Sequence, residues 1–249
     1  MQTRLVRGAG GVFIGAVVLL TLGARSDAPL AGSIGGMVGV TGTATYEGAA
    51  PAGAAIDMSG DAYCARVSAG TPVLTRTVAT DAQGRLAEVV VYIKEGLPRG
   101  NRSVRQDSVL LDQQGCMYTP RVLAVQTRQP LVIRNSDETL HNVHVRAKNN
   151  REFNIGQPLS GMRSLRTFTA AELGVGVSCD VHGWMSAAIA VLDHPYFAVS
   201  GENGSFSIAD VPPGEYVVEA WHATLGTRQQ RVTVTAGQAA NITFTFAAQ

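Results

Sequence analysis

The sequence predicts an all-β protein that is rich in turns. Among its 249 residues are 28 glycines and 10 prolines, and only 16% of the residues are charged. This composition is typical of short strands joined by tight turns. No long helical periodicity appears beyond the N-terminal segment. The 45% of hydrophobic residues is enough for one large core or for two small ones.

The N-terminal segment has the layout of a secretory signal. Arg4 and Arg7 precede an uncharged, largely apolar stretch that ends at Ala24. Its apolar core is short for a spanning helix, but Leu22 makes cleavage after Ala24 unfavourable. Residues 1–24 are therefore either a signal peptide or an uncleaved anchor, followed by a flexible leader at 25–36. Both interpretations predict an exported, periplasmic or otherwise extracytoplasmic protein that contacts membrane only through such an anchor.

The charge balance gives no reason to expect a nucleic-acid partner. The formal net charge is +1 at pH 7, and the sequence shows no cluster of basic residues. Phosphate binding needs a concentrated basic face. Nucleic-acid binding is therefore not predicted.

Candidate strands begin at residue 38. The pattern is clearest at 86–94, where Val89, Val91 and Ile93 alternate with Val90 and Tyr92, so that the two sets face opposite sides of a sheet. The other predicted strands cover 38–48, 109–111, 122–126, 130–134, 142–145, 163–170, 175–179, 187–192, 215–222, 229–235 and 241–246.

Two short motifs carry the chemistry. Cys179, His182 and Met185 follow one another with the spacing Cys-x-x-His-x-x-Met, and His141 lies at a strand end upstream. A thiolate, two imidazoles and a weak axial thioether form the ligand set that selects a blue-copper electron-transfer centre. The sequence therefore predicts one mononuclear copper ion held by these four residues.

The loop spacing resembles that of type 1 (blue) copper cupredoxins of the amicyanin and plastocyanin type, and His141 followed by Asn142 resembles amicyanin as well. The resemblance implies a Greek-key β-sandwich over residues 107–193 and a non-enzymatic protein that exchanges single electrons with redox protein partners. It also implies a hydrogen bond from Asn142 to the residue after the cysteine. That residue is commonly Ser or Thr, whereas here it is Asp180.

We expect His182 to lie on a surface loop and to present its ring edge to a partner as the electron port. Gly183 and Trp184 would lie beside that port. Trp184 is either a docking residue or a buried lid over the copper, since an aromatic side chain of this size suits both roles.

The remaining segments resemble a carboxypeptidase regulatory-like module, a small immunoglobulin-like β-sandwich. Its first half resembles the strands at 38–48 and 86–94, and its second half resembles 200–208 and 211–216. Because the halves flank the copper motif, residues 37–98 and 194–249 are predicted to form one discontinuous sandwich with the cupredoxin inserted at a loop. The alternative is two consecutive domains, in which the first sixty or so residues of the module would bury little surface alone.

The chain has three cysteines, and two are expected to pair in an exported protein. Because Cys179 lies in the copper motif, Cys64 and Cys116 are the candidate disulfide, which would tie the outer sandwich to the start of the copper domain. The alternative is that these two residues are separate buried thiols.

The other histidines favour no second metal. His144 lies three residues beyond His141, which places it on the opposite face of a strand, and His194 and His222 are predicted to be structural. A copper oxidase or nitrite reductase would need further His-rich ligand sets, which the sequence lacks. Two other functions stay open: a copper carrier, and a non-catalytic module that binds carbohydrate or protein through the sandwich.

Overall fold

The computed structural model describes residues 39–100 and 103–248. The predicted signal and leader lie outside these residues. The described chain forms sixteen strands and one short helix, which confirms the all-β prediction. The elements are β1 Val40–Glu47, α1 Ala62–Ser68, β2 Val90–Glu95, β3 Val109–Gln114, β4 Met117–Thr119, β5 Val122–Gln126, β6 Leu131–Asn135, β7 His141–Arg146, β8 Phe153–Gln157, β9 Arg163–Arg166, β10 Glu172–Ser178, β11 Ser186–Leu192, β12 Phe197–Val199, β13 Ser205–Ile208, β14 Gly214–His222, β15 Gly226–Val234 and β16 Ala240–Ala247.

One sandwich takes its strands from both ends of the described chain. Its sheets have the orders β13-β1-β16 and β12-β2-β14-β15. β1 pairs in parallel with β16 and antiparallel with β13, so both of the strands that flank it in its sheet come from the C-terminal part of the chain. Between the two sheets lies a buried apolar core that includes Val91, Ile93, Val218, Phe244 and Phe246.

The second sandwich is built entirely from the strands between these two groups. Its sheets have the orders β5-β11-β10-β7-β8 and β4-β3-β6-β9. A separate buried core fills it and includes Leu111, Ile133, Val143, Val177 and Ile189. Two adjacent inner strands of the larger sheet, β10 and β7, end and begin at the same edge, because Ser178 pairs with His144. The copper motifs lie at that edge.

Strand β2 is buried on both faces. Val91 and Ile93 point into the core of the first sandwich, whereas Val90 and Tyr92 join a third apolar cluster with residues of β5 and β11. The predicted alternation along this strand therefore describes two different buried surfaces. The second surface joins the two sandwiches.

Some element boundaries differ from the sequence predictions. The strand predicted at 86–94 begins only at Val90, because Glu88 adopts a positive φ of 63° that interrupts extended pairing. The strand predicted at 163–170 ends at Arg166. Strands β4, β8 and β12 and helix α1 were not predicted, and β13 lies in a segment, 200–208, for which only the resemblance to the regulatory-like module was given. α1, the helix that the described residues contain, does not have the length and apolar character needed to cross a membrane.

Helix α1 belongs to a segment that folds back on itself before β2. Ala55 forms a β-bridge with Leu74, and the intervening chain carries the helix. Asp61 caps its N-terminus by accepting a hydrogen bond from the backbone N–H of Cys64 at 2.9 Å. We call the whole segment of residues 54–75, including helix α1, the cap.

Candidate metal centre

Three predicted ligands converge at the edge where β7 and β10 meet. The Nδ1 atoms of His141 and His182 lie 2.9 Å apart, and the Cys179 Sγ lies 3.9 Å from the His182 Nδ1. The donor atoms of these three residues all lie within 4.8 Å of one another, and all three side chains are buried. Two imidazole nitrogens and a thiolate that face one another in a dry site fit a copper ion.

The ligand loop is closed by its own backbone. The His182 N–H donates to the Cys179 Sγ at 3.3 Å, the Met185 N–H donates to the His182 carbonyl at 2.9 Å, and the Cys179 N–H donates to the Met185 carbonyl at 3.3 Å. Met185 is fully buried in the same core cluster as Cys179. The tight turn thus joins the backbones of all three loop residues of the predicted ligand set and directs the Met185 side chain into the core that also contains Cys179.

The environment of Cys179 favours its thiolate. Burial alone would raise the pKa of the thiol, but hydrogen bonding with His141 and nearby backbone groups outweighs burial and holds this pKa below its ordinary value. In its protonated form the Cys179 Sγ donates a hydrogen bond to the Asn142 Oδ1 at 3.2 Å. A lowered thiol pKa is what a metal ligand requires, because the thiolate is the form that binds.

Asn142 links the two halves of the site through Asp180. The Asp180 N–H donates to the Asn142 Oδ1 at 2.7 Å, and the Asn142 Nδ2 donates back to the Asp180 carboxylate at 3.1 Å. The carboxylate also lies 2.9 Å from the His144 Nδ1 and accepts a hydrogen bond from Asn154 at 2.6 Å. Hydrogen bonding to these two side chains lowers its pKa. Asp180 therefore makes the expected link to Asn142 through its backbone, and its side chain adds a second one.

A buried carboxylate that the sequence analysis missed orients His141. The Asp137 Oδ2 lies 2.9 Å from the His141 Nε2, and the same side chain accepts 2.8 Å hydrogen bonds from the N–H groups of Gly115 and Cys116. Burial would lower the pKa of His141, but Asp137 and Cys179 outweigh it and raise this pKa to about 9. The sequence signal that could have identified Asp137 was its position, four residues before the candidate ligand His141.

The predicted disulfide is present in the structure. Cys64 in α1 is bonded to Cys116 in the β3–β4 turn, at a sequence separation of 52. Cys179 is the free cysteine. A hydrogen bond of 2.8 Å from the Thr139 hydroxyl to the Asp61 carboxylate adds a second tie between the cap and the copper sandwich.

The expectation that His182 presents an exposed ring edge is wrong. His182 is only 2% exposed, because the disulfide holds the cap directly over it. Its Nε2 lies 3.4 Å from the Asp61 Oδ2 and 3.9 Å from the Cys64 Sγ. Burial, followed by the charge of His141, lowers the pKa of His182, and Asp61 opposes this shift. The atom that was expected to face a partner therefore faces the cap.

Gly183 is exposed and Trp184 is half-buried. The Trp184 ring packs against the His182 ring with 4.9 Å between centroids, and its Nε1–H donates to the Cys116 carbonyl at 3.0 Å. It also contacts the small apolar cluster formed by Met58 and the disulfide. This is the position of a lid beside the site, and docking of a partner by these two residues stays a prediction.

Residues 185–247 match the carboxypeptidase regulatory-like domain family. The match begins at Met185, upstream of the predicted boundary at residue 194, and so includes the last of the predicted ligands and strand β11. It covers the second half of the first sandwich but not β1 or β2. No curated protein sequence matches the chain.

Several similar solved structures are cupredoxins or contain copper. An amicyanin mutant in its Cu(I) form is 21% identical, with a TM-score of 0.31, over 41% of this chain and 97% of that protein. A purple cupredoxin from Nitrosopumilus maritimus is 20% identical, with a TM-score of 0.28, over 34% of this chain and 97% of that one. The copper-containing nitrite reductase of Thermus scotoductus SA-01 is 20% identical, with a TM-score of 0.33, over 39% of this chain and only 25% of the reductase chain. This chain is thus similar to the regulatory-like family over 185–247 and, over less than half of its length, to cupredoxins.

Proposed function

We propose that this protein is an exported carrier of single electrons that holds one copper ion through His141, Cys179, His182 and Met185. The observation that carries the proposal is the convergence of the two Nδ1 atoms and the Cys179 Sγ, which lie within 4.8 Å of one another in a buried pocket. When bound, copper supplies a one-electron couple.

The chain's own residues would keep the ligands in place while the charge of the site changes. Asp137 holds the far side of the His141 ring, Asn142 holds the turn after the cysteine, and the cap holds the far side of His182. Because each ligand ring is restrained from behind, little rearrangement is needed when an electron arrives or leaves. Rigidity of this kind favours electron transfer over delivery of the metal to another protein.

The remaining histidines support a non-enzymatic role. His144 faces Asp180, the His194 Nε2 lies 2.8 Å from the Ile93 carbonyl, and His222 is buried in the other sandwich. In the described part of the chain, the other three-residue groups of candidate metal donors each include a cysteine of the disulfide. Export is supported by that disulfide, since such bonds persist in oxidising compartments.

An optical spectrum of the copper-loaded protein tests the proposal. The oxidised protein should be intensely blue or green because of charge transfer from the Cys179 sulfur to copper, and Cys179→Ser should abolish the colour. Met185→Leu should keep the colour and raise the reduction potential, since the axial bond is weak. His144→Gln is the matched control, and it should keep both the colour and the reduction potential of the unmodified protein. A pale protein whose copper signal is tetragonal would contradict the proposal and favour the copper carrier.

A further inference from the structure

A cleft of about 800 Å³ opens beside the copper site. Its walls come from the cap, from the β4–β5 segment and from the turn that follows β12. The volume lies within the range of about 300–1,000 Å³ that is typical of small-molecule sites. Much of the lining is apolar and includes Val73, Leu74, Val109, Met117, Leu123 and Val199.

Trp184 connects this cleft to the ligand histidine. Its ring lines the cleft on one side and packs 4.9 Å from the His182 ring on the other. The cap closes the direct route from solvent to His182, which is 2% exposed. A molecule in the cleft therefore contacts the half-buried Trp184 indole, and the indole in turn packs against the His182 ring. The two packed rings link the cleft to the histidine.

The charges of the cleft favour a neutral occupant. Two arginines and two glutamates line it, Arg76, Arg121, Glu88 and Glu202, and Arg121 forms an ion pair with Glu88. The lining thus carries no net charge. An indole on one wall favours a flat aromatic ring, which stacks on it or meets it edge to face. The concave shape and the volume suit a small molecule.

Resting on the proposed electron-transfer function, we propose that the cleft binds a neutral phenol of the hydroquinone or methoxyphenol class and that this molecule is an electron donor to the protein. If copper is bound at the proposed site, it would accept one electron from the phenol by way of Trp184 and His182. The phenol is oxidised to a phenoxyl radical, and its hydroxyl proton goes to water. Trp184 is a conduit in this step and holds no metal.

Binding is tested first without the metal. The copper-free full chain is titrated with 2,6-dimethoxyphenol and followed by saturation-transfer NMR, which should show saturable binding. Leu74→Trp fills the mouth of the cleft from a side chain that is 48% exposed and should weaken binding at least tenfold. Leu165→Trp is the matched control, because Leu165 is also exposed but does not line the cleft. The absence of saturable binding by the unmodified chain, or equal binding by both variants, would overturn the proposal.

Electron transfer is then followed by stopped-flow bleaching of the oxidised, copper-loaded protein. Reduction by 2,6-dimethoxyphenol should saturate with its concentration and slow about tenfold in Leu74→Trp. Reduction by hexacyanoferrate(II), a multiply charged ion that does not suit a largely apolar cleft without net charge, should be unchanged in that variant. If both reductants slow equally, the variant has damaged the copper site and the assignment of the cleft fails. A protein that binds the phenol but shows no charge-transfer colour would overturn the electron-transfer function and leave the binding site standing.

Discussion

If His141 holds copper as proposed, the Asp137 carboxylate behind its ring would set the electron density of that ligand. It lies 2.9 Å from the His141 Nε2 and is itself 2% exposed, so water screens its charge little. A carboxylate behind an imidazole raises the basicity of the nitrogen on the metal side. The negative charge also stabilises the more highly charged oxidation state of copper.

Asp137→Asn should therefore raise the reduction potential and weaken Cu(II) binding by roughly 10–100-fold. Glu138→Gln is the matched control, because it removes the same charge from a neighbouring exposed residue. Potentiometry and a competitive copper titration measure the two effects. If both variants shift the potential equally, the effect comes from net charge alone and not from the contact with His141.

His222 makes the stability of the first sandwich depend on pH. It is fully buried, and its Nδ1 accepts hydrogen bonds of 3.2 Å from the N–H groups of Thr224 and Leu225. Burial, followed by the charge of Arg121, lowers its pKa from 6.5 to about 4. Protonation would bury an unpaired charge and remove the acceptor.

Because the folded-state pKa is depressed, the unfolded chain takes up the proton first as the pH falls. The stability that neutral His222 contributes is thus complete above pH 6.5 and is lost as the pH falls toward 4, by at most roughly 3 kcal/mol. His222→Asn keeps an acceptor that does not titrate. Urea unfolding at pH 7 and pH 4.5 should show a smaller loss for this variant than for the unmodified protein. Equal losses in the two proteins would show that other groups cause the acid sensitivity.

At the level of elements, the sequence predicted features that depend on neighbouring residues. It did not predict that the cap covers His182, because that contact joins residues far apart in the chain. The alternation of residues Val89 to Tyr92 predicted a strand, and the structure buries both faces of that strand. The spacing of Cys179, His182 and Met185 predicted a turn that carries candidate metal ligands. Both signals lie within ten residues. Asp61, in contrast, reaches Thr139 across 78 residues. Sequence spacing carries no information on such a contact, so the sequence predicted the candidate ligands that converge in the structure but not the cap that covers them.

The seven-residue helix α1 shows why the cap escaped prediction. A helix this short has no hydrophobic periodicity of its own and is unstable without tertiary contacts. The helix is held in place by its N-cap residue Asp61 and by the disulfide at Cys64. The pairing of Cys64 with Cys116 was predicted, but the position of that bond over His182 depends on how the copper sandwich folds.

Removal of the disulfide tests the cap as an element. In Cys64→Ser/Cys116→Ser the closed loop of 52 residues is lost, which should lower the free energy of unfolding by about 4 kcal/mol. The freed cap should also expose His182, so the copper-free variant should react faster with diethyl pyrocarbonate at this residue, as read by peptide mapping. His194, which is buried elsewhere, is the internal control.

Thiol counting gives an independent check of the same bond. The unfolded, oxidised and metal-free protein should contain one free thiol, that of Cys179. Three free thiols would show that the cap is not covalently held. In that case the burial of His182 would rest on non-covalent contacts alone.

At the scale of the whole molecule, the two sandwiches share an apolar interface. Val90 and Tyr92 of β2 pack with Val122 and Ala124 of β5 and with Leu192 of β11. Neither sandwich is therefore fully covered by its own strands. The disulfide and this interface tie them together at separate points, which holds the cap in a fixed position over the copper site.

The paths of β1 and β2 lead us to propose that residues 37–98 and 194–249 form one discontinuous domain with residues 107–193 inserted. β2 pairs with β12 and β14, and β1 pairs with β13 and β16. Deletion of residues 195–249 removes all four partners and exposes the inner face of β2 to water. This truncated chain should lose the first sandwich although residues 37–98 are still present.

An isolated fragment of residues 105–193 should fold and bind copper, as measured by circular dichroism and the charge-transfer band.

The decisive variant joins residue 98 to residue 195 through a short Gly-Ser linker and carries Cys64→Ser to avoid a stray thiol. The chain leaves and re-enters the first sandwich at neighbouring points, since the Ile93 N–H donates to the Tyr196 carbonyl at 3.2 Å and Tyr92 pairs with Phe197. A short linker therefore spans the gap without strain, and insertions at such loop sites are the ones that folds tolerate. We expect a copper-free β-sandwich that melts cooperatively in calorimetry. If this variant is unfolded while residues 37–106 fold alone, the two halves are consecutive domains and the insertion is wrong.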